Sequence, residues 1–313
     1  MVDSEVADRS AGREVVSPPT ARVVQVIDFL VRNQGKRFGL SELARRCEIT
    51  KPTCLGIVTE LTACGYLIRD TQTKSYGLGP ALVSAGRAAQ RDFALGSMVR
   101  DRLEGLSEQF SAICMASAVV GDNVMVLEMV APPGVVPPAS VGDVYPFAPP
   151  LGLMFMLWEP DEELERWLRS ESALAVGTDF EHIRLMAAEC RAEGYLVENL
   201  SPTVQRLHRL MAGVAAHDVP PAVLELVGDL VSSLGERRFL GEALRASAEK
   251  HPVSLVAAPT FDADGHQSLV LTVYVGGEIS NLEIANRALA LKQVADAVTS
   301  DVGGRNPFAG RGN

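Results

Sequence analysis

The sequence predicts an α+β chain in two parts: a small domain of three helices closed by a β-hairpin, then a larger domain of antiparallel sheet and helices. Three observations carry this. Apolar residues recur at helical spacing through residues 23–64, alternating strand-like runs begin near residue 112, and the charge divides between the two parts. Residues 21–90 hold 10 Lys and Arg against 5 Asp and Glu, a net of +5, whereas residues 91–313 hold 17 against 30, a net of −13, within a formal total of −10. A basic module ahead of an acidic one is the pattern expected when one part meets a polyanion and the other does not.

Composition sets the outer bounds. With 313 residues, 47% hydrophobic and 22% charged, the chain has the apolar material for one large or two ordinary domains. No apolar run is long enough to span a bilayer, and the first 20 residues are polar and acidic, so a cytoplasmic location without membrane contact is expected. Cys47, Cys54, Cys64, Cys114 and Cys190 form no CxxC pair, which points to reduced packing residues rather than disulfides or structural zinc.

Residues 1–19 show no apolar period and read as a disordered arm. Val23, Val24, Val26, Ile27, Phe29, Leu30 and Val31 then make a broad stripe, a first helix ended by Asn33-Gln34-Gly35. Ser41 precedes Glu42 to Cys47 as the N-cap of a short second helix. After a turn at Glu48-Ile49, Thr50 caps a third, with Pro52 in the first turn, where its missing N–H costs nothing, and Gly65 at the end. Residues 66–69 and 75–78 read as a hairpin about the turn Asp70 to Lys74.

That order is a winged helix-turn-helix over residues 20–86, an architecture that lays its third helix in the major groove of double-stranded DNA. Thr50, Lys51, Thr53 and Thr59 are the polar groups available on that helix, while Arg45 and Arg46 on the helix before it, and Thr71, Gln72, Thr73 and Lys74 on the wing, are placed for phosphates. The plainer reading is a solvated basic face.

The segment FGLSELARRCEITKPTCLGIVTELTACGYLIRDTQTKSYGLGPALVSAG resembles the IclR family of bacterial transcription regulators, through its LSELA helix, its KxT helix start, GYL ahead of the wing and YGLG closing it. The resemblance implies operator DNA, a small-molecule effector and a homodimer or homotetramer as partners, with no catalytic residue, cofactor or metal. Two positions depart from the family pattern: Pro52 stands where Ser is usual and Gly56 where Arg is usual. Loss of that Arg removes the side chain best shaped to grip guanine. Gly56 also weakens a helix by about 1 kcal/mol relative to Ala. It either admits close approach to DNA or marks a tolerant position.

Residues 87–110 have the spacing of a linker helix, and 112–120 with 123–130 read as an antiparallel hairpin. Residues 253–259 and 269–276 supply further strands before a final helix from 280 to 299, giving a sheet with helices on one side over residues 111–303, and a flexible tail at 304–313. VGDVYPFAPPLGLMFM, CRAEGYLVE and VSLVAAPTFDADGHQSLVLTVYVGG resemble the family's GAF-like effector-binding domain. The resemblance implies a pocket at Pro149, Pro150, Leu151, Glu198, Pro259, Thr272 and Tyr274.

Pro149-Pro150 replaces a loop whose backbone amides bind carboxylates in many members, and proline has no N–H to offer. A larger, less polar effector is therefore favoured. The run LMFMLW at 153–158 fits either core or an adaptable cavity, with core preferred. Compared with the family pattern, residues 203–248 are a helical insertion, either a lid over the pocket or an extension of an oligomer interface.

Enzyme motifs are missing: there is no GxSxG, GxGxxG, P-loop or HExxH, and His182, His208, His217, His251 and His266 are isolated in sequence. Two other readings remain open, a small-molecule enzyme with an appended DNA module and a constitutive regulator whose pocket is filled by its own side chains.

Overall fold

A computed structural model describes residues 17–33, 35–92, 95–137, 139–149, 152–170, 180–199 and 250–309. The proposed insertion at 203–248, Pro150, Leu151 and most of the expected N-terminal arm lie outside these residues. The chain divides into two compact units, Met1–Ala94 and Leu95–Asn313.

In the first unit the order is α1 (Pro18–Arg32), β1 (Phe38–Gly39), α2 (Leu40–Arg46), α3 (Lys51–Ala63), β2 (Leu67–Arg69), β3 (Ser75–Leu78) and α4 (Ala81–Asp92). The apolar stripes meet in one core that includes Val26 and Leu30 of α1, Leu43 of α2, and Cys54 and Val58 of α3. Tyr76 of β3 and Phe38 of β1 close it, and Phe38 meets Phe29 edge to face at 4.8 Å.

The sharp turn between α2 and α3 needs a left-handed residue, which Glu48 supplies at φ 52°, while the Ile49 amide returns to the Ala44 carbonyl at 2.8 Å. Strand order in the wing is β1-β3-β2, antiparallel throughout, with Phe38 opposite Tyr76 and Leu67 opposite Leu78. Asp70 organises the tip by accepting from the Gln72 and Thr73 amides at 2.8 and 2.9 Å. These bonds, that from Thr73 first, hold its carboxyl below the usual value.

The second unit runs α5 (Leu95–Phe110), β4 (Cys114–Val120), β5 (Asn123–Val130), β6 (Val144–Pro146), a 3-10 turn (Leu153–Phe155), α6 (Asp161–Leu168), α7 (Phe180–Glu193), β7 (Leu196–Glu198), β8 (Lys250–Phe261), β9 (Gln267–Ser280) and α8 (Asn281–Asp301). Its sheet has the order β6-β5-β4-β9-β8-β7, every pair antiparallel. Leu103 and Leu106 of α5 and Ile284, Leu291 and Val298 of α8 pack with Val273 on one face. On the other, Leu153 and Phe155 of the 3-10 turn, Leu164 of α6 and Ile183 of α7 pack with Leu255 and Val270.

Helices thus cover both faces, not the one side that the sequence suggests. The reason is visible in β8, where every residue from Val253 to Phe261 is buried: a strand buried on both sides needs a second layer. Leu157 and Trp158 belong to that second layer, which settles LMFMLW as core.

Boundaries moved for local reasons. Gly39, not Ser41, caps α2, and α1 begins at Pro18, inside the expected arm. Thr50 does occupy the N-cap position of α3, with Pro52 in the first turn, but its hydroxyl bonds to that of Thr53 and not to a helix amide. The expected single linker helix is two described helices, α4 and α5. Residues 304–309 are tied down where a loose tail is expected: the Gly304 amide donates to the Thr299 carbonyl at 2.8 Å, the Arg305 amide to the Asp262 carbonyl at 3.0 Å, and Phe308 packs on Phe261. Cys47, Cys54, Cys114 and Cys190 are buried as packing residues, but Cys64 is exposed at the end of α3.

Candidate nucleic-acid interface and buried polar face

α3 is held by its inward face, where Cys54 and Val58 are fully buried and Ile57 and Leu61 are partly so. Thr50, Lys51 and Gly56 are exposed, and Thr53 is half-buried. The Thr50 and Thr53 hydroxyls bond to each other at 2.9 Å, so these two groups act as a pair at the helix start. Arg45 and Arg46 end α2 in solvent, and Arg46 has only a 3.9 Å contact with Glu42, the kind of exposed pair that contributes little. Both cations remain available to another charged partner.

Thr71 and Lys74 are exposed on the wing, and Lys74 adopts φ 54° to complete the turn. Every sequence-derived contact candidate on α2, α3 and the wing therefore reaches solvent at least in part. Sequence reasoning passed over Leu55, which is 47% exposed on α3. The available signal was its phase, since it falls outside the Cys54, Val58 and Leu61 stripe.

In the second unit the register gathers part of the other candidate set. Thr272 lies opposite Ala257 on β8 and Met115 on β4, and Tyr274 opposite Leu255, itself opposite Glu198 on β7. Alternation puts Thr272, Tyr274 and Glu198 on the face that carries Val270 and Leu255, away from α5 and α8. Thr272 is 0% exposed and its hydroxyl has no hydrogen-bond partner among the described residues. Such a group normally finds a partner.

Burial pushes the Tyr274 hydroxyl up to about 12, with the neighbouring Tyr145 and Glu198 groups adding to the shift. Tyr145 is also raised to about 12, by burial and then by Asp143. It belongs to the same cluster and was missed because β6 is only three residues long and its register with β5 is a matter of tertiary pairing. Pro149 is buried, while Pro259 lines a crevice with Trp158, Phe261 and Phe308. Among the described residues, no group of three His, Cys, Asp or Glu could hold a metal ion.

A winged helix-turn-helix followed by a domain whose described residues form a six-stranded antiparallel sheet defines the class of fold. Residues 19–71 match the model of the IclR helix-turn-helix domain. Its fold is shared along most of its length with solved IclR-type structures. An IclR transcriptional regulator of Alicyclobacillus acidocaldarius is 20% identical with a TM-score of 0.65, covering 92% of this chain and 99% of that one. HmgR of Pseudomonas aeruginosa is 20% identical with a TM-score of 0.59, covering 91% and 99%. An IclR homologue of Microbacterium hydrocarbonoxydans, solved in complex with 4-hydroxybenzoate, is 16% identical with a TM-score of 0.57, covering 91% and 98%. No curated protein matches the sequence.

Proposed function

We propose that this chain is a ligand-responsive, sequence-specific transcription regulator that acts in the cytoplasm as a homodimer or homotetramer. The observation that carries the reading is the IclR-type helix-turn-helix with Arg45, Arg46, Lys51 and Lys74 all exposed on the elements that such a domain turns to DNA. Arg45, Arg46, Thr71 and Lys74 bind phosphates, while Thr50, Lys51, Thr53 and Gly56 of α3 face the major groove. Paired half-sites follow from paired protomers.

The effector is a small organic molecule of apolar or aromatic character, bound on the sheet face that carries Thr272, Tyr274 and Glu198, with Pro149, Pro150, Leu151 and Pro259 as further contacts. Support comes from the buried Thr272 hydroxyl, which has no partner among the described residues, and from the Microbacterium homologue that holds 4-hydroxybenzoate. The effector acts by binding the DNA-competent and DNA-incompetent states unequally. The role needs no catalytic step.

The experiment is a titration of the full-length protein against duplexes flanking its own gene, at two salt concentrations. Tight binding selective for one fragment is expected, with a log–log salt slope that falls by about 0.9 for each phosphate contact removed in Arg45→Ala/Arg46→Ala. Binding indifferent to fragment, with an unchanged slope in the double variant, overturns the reading.

A further inference from the structure

The outward face of α3 is poor in hydrogen-bonding side chains. Pro52, Leu55, Gly56 and Thr59, spaced i, i+3, i+4 and i+7, share that face and all are exposed. Only Thr59 among the four carries a polar side chain. Leu55 places a large aliphatic group in water at 47% exposure, in the middle of a helix that has a complete apolar face already buried by Cys54 and Val58. Packing within the domain does not account for it.

Gly56 beside it is equally unexplained by the fold. Its φ is not in the left-handed region, and a Cβ built on it meets no atom within 4 Å. A helix-weakening residue is thus kept at a position where any small side chain fits. What the glycine does provide is an indentation in the exposed face, next to Leu55 and one turn beyond Pro52.

Resting on the DNA-binding reading above, we infer that Leu55 is a base-reading residue, which packs against the C5 methyl group of thymine in the major groove while Gly56 lets α3 approach closely enough to make that contact. The occupant is argued from charge: Lys51 opens the same helix, and Arg45, Arg46 and Lys74 are exposed on the elements before and after it, cations suited to phosphates, while Glu60 is an exposed acid toward the other end of α3. Among the base edges in that groove, thymine offers the methyl group that an aliphatic side chain can recognise, and cytosine lacks it. Thr59, one turn beyond Leu55, supplies a hydroxyl for an adjacent base edge.

The test uses the full-length protein and a library of randomised duplexes. Selection yields an enriched duplex, and each thymine in it is replaced singly by deoxyuridine, which deletes only the methyl group. At one thymine of each half-site the deletion weakens wild-type binding about fourfold, the worth of one buried methyl, and leaves Leu55→Ala unaffected. Gly56→Ala melts no lower than wild type, yet binds the enriched duplex more weakly at the same salt slope. An enriched duplex that tolerates deoxyuridine at every position, or a Leu55→Ala variant that still loses affinity with the methyl, overturns this inference and leaves the DNA-binding reading intact. A library from which nothing is enriched overturns both.

Discussion

Replacing Thr272 by Val exchanges one hydroxyl for a methyl group of nearly the same shape at a site with 0% exposure. The hydroxyl has no described partner, so wild-type folding strips it of water without compensation, at a cost of about 1–3 kcal/mol. Thr272→Val removes that cost, and the effector-free protein gains stability of the same order. For a domain of this size each kcal/mol raises the melting temperature by about 2–4 °C. Tryptophan fluorescence is the natural readout, because the chain has 2 tryptophans and both, Trp158 and Trp167, lie in the sheet domain. A urea titration should show a higher midpoint at an unchanged slope. The same variant should lose part of the thermal shift produced by an effector, since the group held ready for it is gone. A midpoint that falls or does not move means that the hydroxyl is satisfied in the free protein, and the main support for a ligand on this face is lost.

Two further outcomes follow from local geometry. At Gly79 an added Cβ would lie 2.2 Å from the Gly65 carbonyl oxygen and under 3.0 Å from Tyr66 and Leu67 backbone carbons, so no side-chain motion can relieve the clash. Gly79→Ala should destabilise the first unit by about 2 kcal/mol or more, measured by denaturation, while leaving the tryptophan transition of the sheet domain in place. Acid should loosen the wing and the start of α8: Asp70, held low by the Thr73 and Gln72 amides, and Glu283, held low by the Ser280 amide and hydroxyl, stabilise only when ionised. Their contribution is complete above the ordinary carboxylate range and is lost as pH falls below about 4 through the depressed values. The protection of the Gln72 and Thr73 amides, measured against the intrinsic exchange rate at each pH, should fall there, and Asp70→Ala should lack that protection at both pH values.

Helices α1, α2 and α3 were legible because each presents a 3.6-residue stripe within its own sequence, whereas the cap of α2 fell at Gly39 instead of Ser41 and α4 was not separated from α5. Thr50 before Pro52 marks the start of α3 without help from elsewhere. Strand β5 was equally plain, since Gly121-Asp122 fixes the turn and alternation fixes the rest. What escaped was whatever depends on a distant partner. β1 is two residues long and exists because Phe38 pairs with Tyr76; β6 exists because Tyr145 pairs with Val124. Composition cannot signal a strand of that length. The helices on the second face were unreadable for the same reason, because Leu153 and Leu164 become one layer only once the sheet lies between them and α8. Within the site, Thr272, Tyr274 and Glu198 fall on one face by alternation and register, whereas Tyr145 joins them only through the β5–β6 pairing.

Strand β9 is where the two sides of the sheet domain are nearest in sequence. Thr272 belongs to the face proposed for the effector, and its immediate neighbours Leu271 and Val273 are packed in the core that holds Leu103 and Leu106 of α5. One peptide bond on either side separates the two environments. A rotation of that strand by even a few degrees, made to bring a hydroxyl to a guest molecule, displaces two aliphatic side chains the other way, into the core they share with α5 and α8. α8 follows β9 directly and packs in that core through Ile284, Leu291 and Val298, so a guest on one face would be registered on the other by the helix that ends the sheet domain.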